Sequence, residues 1–191
     1  MTMILNPKTI VISGPSGVGK GTIIKEILKE RSDIKVAISA TTRAKREYEV
    51  DGEDYYFLSD DTFNAMAENS SFLEWCLVHG NKYGTMENEV KRLMNEGSHV
   101  ILEIDVQGAK KVMEAKSETL NVISIFLEPP SVSILNSRLK LRNTESNSER
   151  ESRLKVAVEE IKEKDCYDYI VVNNEKKVAA SEILSIINGF E

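Results

Sequence analysis

The sequence predicts an α/β protein: a three-layer, mostly parallel sheet core that carries an inserted mixed α/β subdomain and a helical lid. Three observations lead there. β-branched runs alternate with apolar residues at helical spacing along most of the 191 residues, the pattern of parallel strands joined by crossover helices. The apolar run Thr9–Ser13 passes directly into a glycine-rich turn and then a helix. Residues 39–90 interrupt the alternation and read as hairpin-rich.

Taken in order, Ile23, Ile24, Ile27 and Leu28 mark one face of a first helix that ends near Arg31-Ser32. Ile34 to Ile38 reads as a second strand, after which Ser39-Ala40-Thr41-Thr42-Arg43-Ala44-Lys45-Arg46 turns polar and basic. Asp51-Gly52 is a turn signal between β-prone segments, so a hairpin is expected across Val50–Tyr55. Asp60 to Asn69 reads as a short helix opened by an Asp cap, Phe72–Val78 as a strand, and Asn81–Thr85 as a loop. Met86, Val90, Leu93 and Met94 share a helical face, and Gly97 is a natural stop.

Val100–Ile104 is a buried-type strand that delivers Glu103 and Asp105 to its C-terminal end, and Ala109, Val112 and Met113 begin the next helix. Val122–Leu127 is another apolar strand, ended by Pro129-Pro130, and Ser131 starts a helix through about Leu141. Arg142–Ser148 is polar and without apolar spacing. Leu154, Ala157, Val158 and Ile161 mark a further helix, Tyr169–Val172 a last strand, and Ile183, Leu184 and Ile187 a last helix. The expected organisation of residues 1–191 is a single domain. Its core comprises 1–38, 97–137 and 165–191, with an inserted subdomain at 39–90 and a lid at 138–155.

Composition narrows the function. With 41% hydrophobic and 29% charged residues the chain reads as soluble and globular. A formal charge of −6 argues against a general nucleic-acid or membrane-surface binder. No long apolar span is present, and Met1–Lys8 is too short for a leader and contains Pro7, so a cytoplasmic location is expected. Cys76 and Cys166 match no metal-ligand or redox spacing and read as thiols in a reducing compartment. His79 and His99 have no evident ligand partners, and nothing in the sequence speaks to oligomeric state.

Gly14-Pro15-Ser16-Gly17-Val18-Gly19-Lys20 fits the G-x-x-x-x-G-K pattern of a P-loop, in the strand–turn–helix context that makes the match meaningful. Glycines let the backbone curl into a nest of N–H donors at a helix N-terminus, where aligned dipoles favour polyanionic phosphate. Lys20 adds a point charge for β- and γ-phosphates. Gly21 stands where a Ser or Thr hydroxyl commonly ligates Mg²⁺, with Thr22 one step later. The metal is therefore expected to be held through waters and phosphate oxygens, and no residue is assigned as its direct ligand. Ligands of such folds bind beyond the strand C-termini, so the loop, Ser39–Arg46, Asp105 and Asn173 are expected to converge.

A second constellation lies in the inserted segment. Arg43 and Arg46, with Tyr55 and Tyr83 downstream, supply the guanidinium forks and phenol donors that a smaller phosphate group needs. Glu74 sits in an aromatic and apolar run beside Trp75, where an unpaired carboxylate is costly. Guanine presents N–H donors at N1 and N2 and an acceptor at O6. Glu74 answers the donors, and a hydroxyl such as Thr85 or Ser39 answers O6. Adenine has the opposite polarity on that edge and would leave these groups unpaired.

With these residues in place the chain resembles the bacterial guanylate kinases over nearly its whole length. The resemblance is carried by an ordered series, each element quoted as it stands: Ile-Ser-Gly-Pro-Ser-Gly-Val-Gly-Lys-Gly-Thr, Thr-Thr-Arg-x-x-Arg, Asp-Gly-x-Asp-Tyr-x-Phe, Phe-Leu-Glu-Trp, Tyr-Gly-Thr, Glu-Ile-Asp-Val-Gln-Gly, Pro-Pro-Ser, Arg-Asn-Thr-Glu-Ser and Val-Val-Asn. It implies a P-loop NTPase core with a GMP-binding subdomain and a mobile lid. The implied activity is Mg²⁺-dependent transfer of the ATP γ-phosphoryl to GMP, giving ADP and GDP in purine metabolism. It further implies that Arg43, Arg46, Tyr55 and Tyr83 hold the GMP phosphate, and that Ser39, Glu74, Thr85 and Asp105 read or support guanine. Gly14, Pro15, Ser16, Gly17, Val18, Gly19, Lys20, Gly21 and Thr22 would hold ATP phosphates, with Asn173 lining adenine. Glu103 stands where many members have Asp.

Residues 138–155 carry six basic side chains against three acidic ones, in keeping with a basic lid over phosphates. The resemblance makes Arg138, Arg142 and Arg153 catalytic lid arginines beside Lys20 and Arg43, and leaves Arg150 on the surface. Asn143 replaces the family's usual Gly and tolerates the left-handed backbone of such a turn. Two rivals remain open at this point. Gly21-Thr22 alone permits a kinase for AMP or UMP, and the guanylate-kinase-like modules of scaffold proteins bind peptides without catalysis, though they typically lose the loop lysine that Lys20 retains here.

Overall fold

The computed structural model describes residues 6–78, 80–115, 120–141 and 147–189. His79, Arg142, Asn143, Glu145 and the first five residues of Met1–Lys8 lie outside the described residues, as do the side chains of Glu149 and Arg150. The strands are β1 (Thr9–Ser13), β2 (Ile34–Val36), β3 (Ser39–Thr41), β4 (Tyr56–Phe57), β5 (Phe72–Val78), β6 (Asn81–Met86), β7 (His99–Glu103), β8 (Val122–Glu128) and β9 (Tyr169–Val172). The helices are α1 (Lys20–Glu30), α2 (Asp60–Glu68), α3 (Glu87–Asn95), α4 (Val106–Glu114), α5 (Val132–Leu141), α6 (Asn147–Ile161) and α7 (Lys176–Asn188), with a short 3-10 turn at Lys164–Cys166. Five strands form one sheet in the order β2-β7-β1-β8-β9, with β2–β7 and β8–β9 parallel. Four form a second sheet, β4-β3-β6-β5. None of the helices among the described residues is long and apolar enough to cross a membrane.

The chain forms two compact units. One comprises the described parts of Met1–Thr9, Asp33–Leu102 and Lys110–Val122; the other Ile10–Ser32, Glu103–Ala109 and Ile123–Glu191. All five residues of β1 are buried, which explains why a parallel strand reads as continuous Thr-Ile-Val-Ile-Ser rather than alternating. Helix α1 buries Ile23, Ile24 and Ile27, and α7 buries Ala179, Ala180, Ile183, Leu184 and Ile187. Each isoleucine removed from water contributes about 1.5–3 kcal/mol. Asp168 ties β8 to the start of β9 by accepting from the amide (2.9 Å) and hydroxyl (2.7 Å) of Ser124.

The first unit holds the mixed sheet, and here the structure corrects the sequence reading three times. Asn81–Thr85 is not a loop: it forms most of β6, antiparallel to both β5 and β3, because its polar side chains alternate with a glycine that must lie flat against neighbours. A Cβ at Gly84 would sit 2.9 Å from both Phe72 and Trp75. The hairpin is accordingly β5–β6, whereas Val50–Tyr55 makes a turn with a single bridge between Asp51 and Tyr55. Helix α2 is capped by Ser59, whose hydroxyl accepts from the Thr62 amide at 3.1 Å; Asp60 belongs to the first turn. Gly97 ends α3 as read, with φ +79 and its amide returning to Met94.

The aromatic cluster of this unit centres on Phe63 of α2, which is fully buried. It stacks on Phe72 at 4.4 Å and meets Trp75 edge-on at 6.1 Å. Replacing Phe63 with Ala should cost about 3–5 kcal/mol of stability, read as a lowered urea midpoint.

Candidate active site

The first candidate site lies wholly within the second unit. β1 ends at Ser13, and the chain turns through Gly14–Gly19 into α1. Two positions explain why the turn is glycine-rich. Gly14 has φ +146, and a Cβ there would lie 2.4 Å from the carbonyl oxygen of Leu127 in β8. Gly19, the residue before α1, has φ +104, and a Cβ would meet Asn173 Nδ2 at 2.8 Å. The Val18 amide closes the turn onto the Pro15 carbonyl at 3.1 Å, and Lys20 Nζ donates to the Gly14 carbonyl at 2.7 Å. An ammonium and a curl of amides thus stand at the positive end of a helix.

Four further side chains gather on this loop. Asn173, just past β9 and buried, donates from Nδ2 to the Val18 carbonyl at 2.7 Å. Arg138 of α5 donates to that same carbonyl and to the Asn173 carbonyl, each at 2.9 Å. From α6, Arg153 donates to Ser16 Oγ at 2.6 Å, and Glu160 accepts from the Ser16 amide at 3.4 Å. Burial pushes the Glu160 carboxyl above the usual carboxylate range, and nearby Lys20 opposes the shift. Glu103, at the end of β7, places its carboxylate 3.5 Å from where a Gly21 Cβ would stand. Asp105 Oδ1 accepts from the Gly108 amide at 2.8 Å and so caps α4.

The second candidate site lies wholly within the first unit and is built on strand register. Glu74 pairs with Thr85, and Thr85 with Ser39; two residues along, Cys76 pairs with Tyr83, and Tyr83 with Thr41. Alternate residues share a face, so Ser39, Glu74, Thr85 and Tyr83 line one side of the sheet. An irregularity between Phe72 and Glu74 lets Phe72 and Trp75 both face Gly84 while Glu74 turns to Thr85. Glu74 is buried, and its Oε1 accepts from the Thr85 amide at 3.1 Å and hydroxyl at 2.8 Å.

Beside this row, the Arg43 guanidinium lies 5.5 Å from the Tyr55 ring centre and 5.7 Å from that of Phe57. Tyr55 meets Tyr83 edge-on at 6.0 Å. Both arms of Arg43 grip Glu49, at 3.0 and 2.7 Å, and the Arg46 amide donates to the same carboxylate at 2.8 Å. Arg43 holds the buried Glu49 carboxyl below its ordinary range, and Glu49 in turn raises Arg43. The Arg46 guanidinium is 57% exposed and reaches Tyr48 at 3.1 Å, so it joins the cluster through Glu49 rather than directly.

A protein-family model described as guanylate kinase matches residues 6–189. The chain belongs to the guanylate kinase family. It is 46% identical to a guanylate kinase of Caldanaerobacter subterraneus subsp. tengcongensis over 178 residues, which is 93% of this chain and 85% of that one. It is 45% identical to that of Clostridioides difficile over 180 residues, 94% and 86% of the two chains. Among solved structures, guanylate kinase from Anaplasma phagocytophilum superposes with a TM-score of 0.78 at 32% identity, covering 99% of this chain and 88% of the other. The chain is thus an enzyme of this family on the P-loop NTPase fold.

The structure brings together Gly14–Thr22, Arg138, Arg153 and Asn173 in one unit, and Ser39, Arg43, Tyr55, Glu74, Tyr83 and Thr85 in the other. Asp105 belongs to the unit of the phosphate loop. Glu49 and Glu160 escaped the sequence reading, though each left a trace. Glu49 is the acid three residues past Arg46 in a basic stretch, and Glu160 lies seven residues beyond Arg153, two turns along one helix face.

The Glu49–Arg43 pair has a measurable consequence. Glu49→Gln should lower stability at neutral pH by about 2 kcal/mol, the usual worth of a hydrogen bond to a charged group. Because the folded-state carboxyl is depressed, this contribution is complete above the unfolded carboxylate value near about 4.3 and fades as pH falls below it. Urea titrations of both proteins at neutral and acid pH should therefore diverge at the first and converge at the second.

Proposed function

We propose that this member of the guanylate kinase family transfers the γ-phosphoryl group of ATP to GMP with Mg²⁺, and that its two anion sites divide the substrates. ATP phosphates bind the Gly14–Thr22 loop and Lys20; GMP binds the sheet of the first unit. Residues 39–90 then act as the acceptor segment and 138–155 as the lid. The observation that carries the reading is the register of that sheet. It sets a buried carboxylate, two hydroxyls and the Tyr83 phenol on one face, with the Tyr55 ring against Tyr83 and the Arg43 guanidinium against Tyr55.

Glu74 takes the N1 and N2 donors of guanine. The Thr85 hydroxyl already donates to Glu74, which leaves guanine O6 to Ser39. An adenine on this edge would set acceptor against carboxylate, so a buried Glu74 favours GMP over AMP. Arg43, Tyr55 and Tyr83 hold the GMP phosphate, and Arg46, exposed beside them, adds charge. Asp105, capping α4, orders the segment after β7 and supports guanine. Asn173 lines the adenine of ATP from a position fixed by Val18 and Arg138.

The donor set suits magnesium. Glu103 lies against Gly21, and no cluster of three or more acidic, His or Cys side chains among the described residues could cage the ion. A hard cation held by phosphate oxygens and its own waters, with Glu103 in the outer sphere, fits these residues. When bound, it neutralises charge on the β- and γ-phosphates.

Phosphoryl transfer asks the protein for placement and charge neutralisation rather than covalent chemistry. Lys20 and the amide curl hold the donor phosphates; Arg138, Arg142 and Arg153 lie in the basic lid segment that shields the γ-phosphoryl and excludes water. The GMP phosphate arrives ionised, so no general base is required.

Assaying ADP formation with GMP, AMP, UMP and CMP as separate acceptors tests the reading: turnover with GMP alone is expected, and equal use of AMP overturns the role of Glu74. Lys20→Ala should lower kcat by about 10²–10³ or more while leaving the thermal midpoint unchanged. Glu74→Gln should raise the KM for GMP at least about tenfold with little change in that for ATP, since it alters a contact to only one substrate.

A further inference from the structure

Glu160 is an acid placed against a loop built for anions. Helix α6 turns two charged side chains onto Ser16: Arg153 donates to its hydroxyl at 2.6 Å, and Glu160 accepts from its amide at 3.4 Å. That amide belongs to the curl that the ATP assignment gives to phosphate. The charged and titratable groups around Glu160 are Lys20 of α1, Arg153 on its own helix, Asp105 ahead of α4, and Tyr167 after the 3-10 turn. Two of these are cations and one an anion, with the Tyr167 phenol pushed up to about 12 chiefly by burial and therefore neutral.

We propose that Glu160 holds the Ser16 amide in place of a phosphate until ATP arrives, and that ATP binding is accompanied by uptake of a proton from solvent at Glu160. The inference rests on the assignment of ATP to this loop. The polyphosphate brings several negative charges to Lys20 and the loop amides, and a like charge at close range disfavours an ionised carboxylate. Burial already works in the same direction. A protonated carboxyl no longer competes as an anion for the amide and gains an O–H to offer a phosphate oxygen. Glu160 is on this account a positioning residue: it keeps the loop and Arg153 arranged in the empty site and yields its place on binding.

The test is titration calorimetry of the full chain with MgATP and no acceptor. Runs in two buffers of different ionisation enthalpy, repeated from about pH 6 to pH 8.5, report protons taken up on binding. Wild type should take up a proton, and its Kd for ATP should rise with pH by up to about tenfold per unit where uptake is complete. Glu160→Gln, of the same shape but without a titrating group, should lose the uptake and flatten the profile, while Glu160→Asp should restore a pH dependence. Equal uptake in wild type and Glu160→Gln overturns the proposal. So does wild type that binds ATP with no proton linkage, a result that stands even if the variants do not fold. Folded wild type that binds no MgATP overturns the assignment of the loop itself, which the other outcomes leave intact.

Discussion

A protein that holds strongly charged anions must keep the cations gathered for them in order when the anions are absent. That constraint runs through both sites of this chain. Arg43, 5.5 and 5.7 Å from the Tyr55 and Phe57 ring centres, closes both arms on buried Glu49. The phosphate loop meets Glu160 at Ser16, with Lys20 and Arg153 close by. In each case the chain's own carboxylate balances charge that would otherwise be left in a partly desolvated place. Electrostatics of this kind fixes geometry in advance, so that less ordering is left to the moment of binding.

The two sites are constructed differently, and the difference follows from their secondary structure. The phosphate loop is a backbone device. Its donors are amides, its shape depends on positive φ angles, and neighbours enter so closely that a Cβ at Gly14 would collide with the Leu127 carbonyl. The site on the mixed sheet is a side-chain device. Its order comes from the two-residue period of three paired strands, with one irregularity in β5 that sends Glu74 to Thr85 and leaves the aromatic rings for the other face. One kind of site recognises charge and shape; the other can read the hydrogen-bonding edge of a base.

Arg138 and Asn173 show how a phosphate loop is kept in register with the rest of its unit. Both donate to the Val18 carbonyl, and Arg138 also takes the Asn173 carbonyl, so α5 and the end of β9 are fastened to one peptide of the loop. Conformational entropy is the chief cost of holding an irregular turn, and two buried or half-buried hydrogen bonds on one carbonyl of so short a segment offset part of it. The arginine that the sequence assigns to a mobile lid is, in this state, a fastening of the loop beneath it.

The sequence by itself determined the class of fold and the chemistry of the loop. Continuous β-branched strands, amphipathic helices and the Gly14–Lys20 spacing are local signals, set by periodicities and by backbone angles that few residues other than glycine adopt. Asn81–Thr85 reads as a loop because polar residues and a glycine resemble one when taken alone, and only pairing on both sides makes them a strand. The cap of α2 was misplaced by one residue because Ser59 and Asp60 are both good caps and the backbone decides between them. Glu74 could be suspected from its apolar neighbours, but its face could not be read, since the irregularity in β5 shifts the alternation by one. Glu49 and Glu160 leave only a trace in the sequence, and it does not single them out as candidate site residues, for a related reason. A carboxylate's role depends on which cation and which amide lie within about 3 Å of it, and that is a property of packing between segments. The tertiary structure alone decided it, because a local pattern fixes where a side chain begins and only the packed chain fixes what it meets.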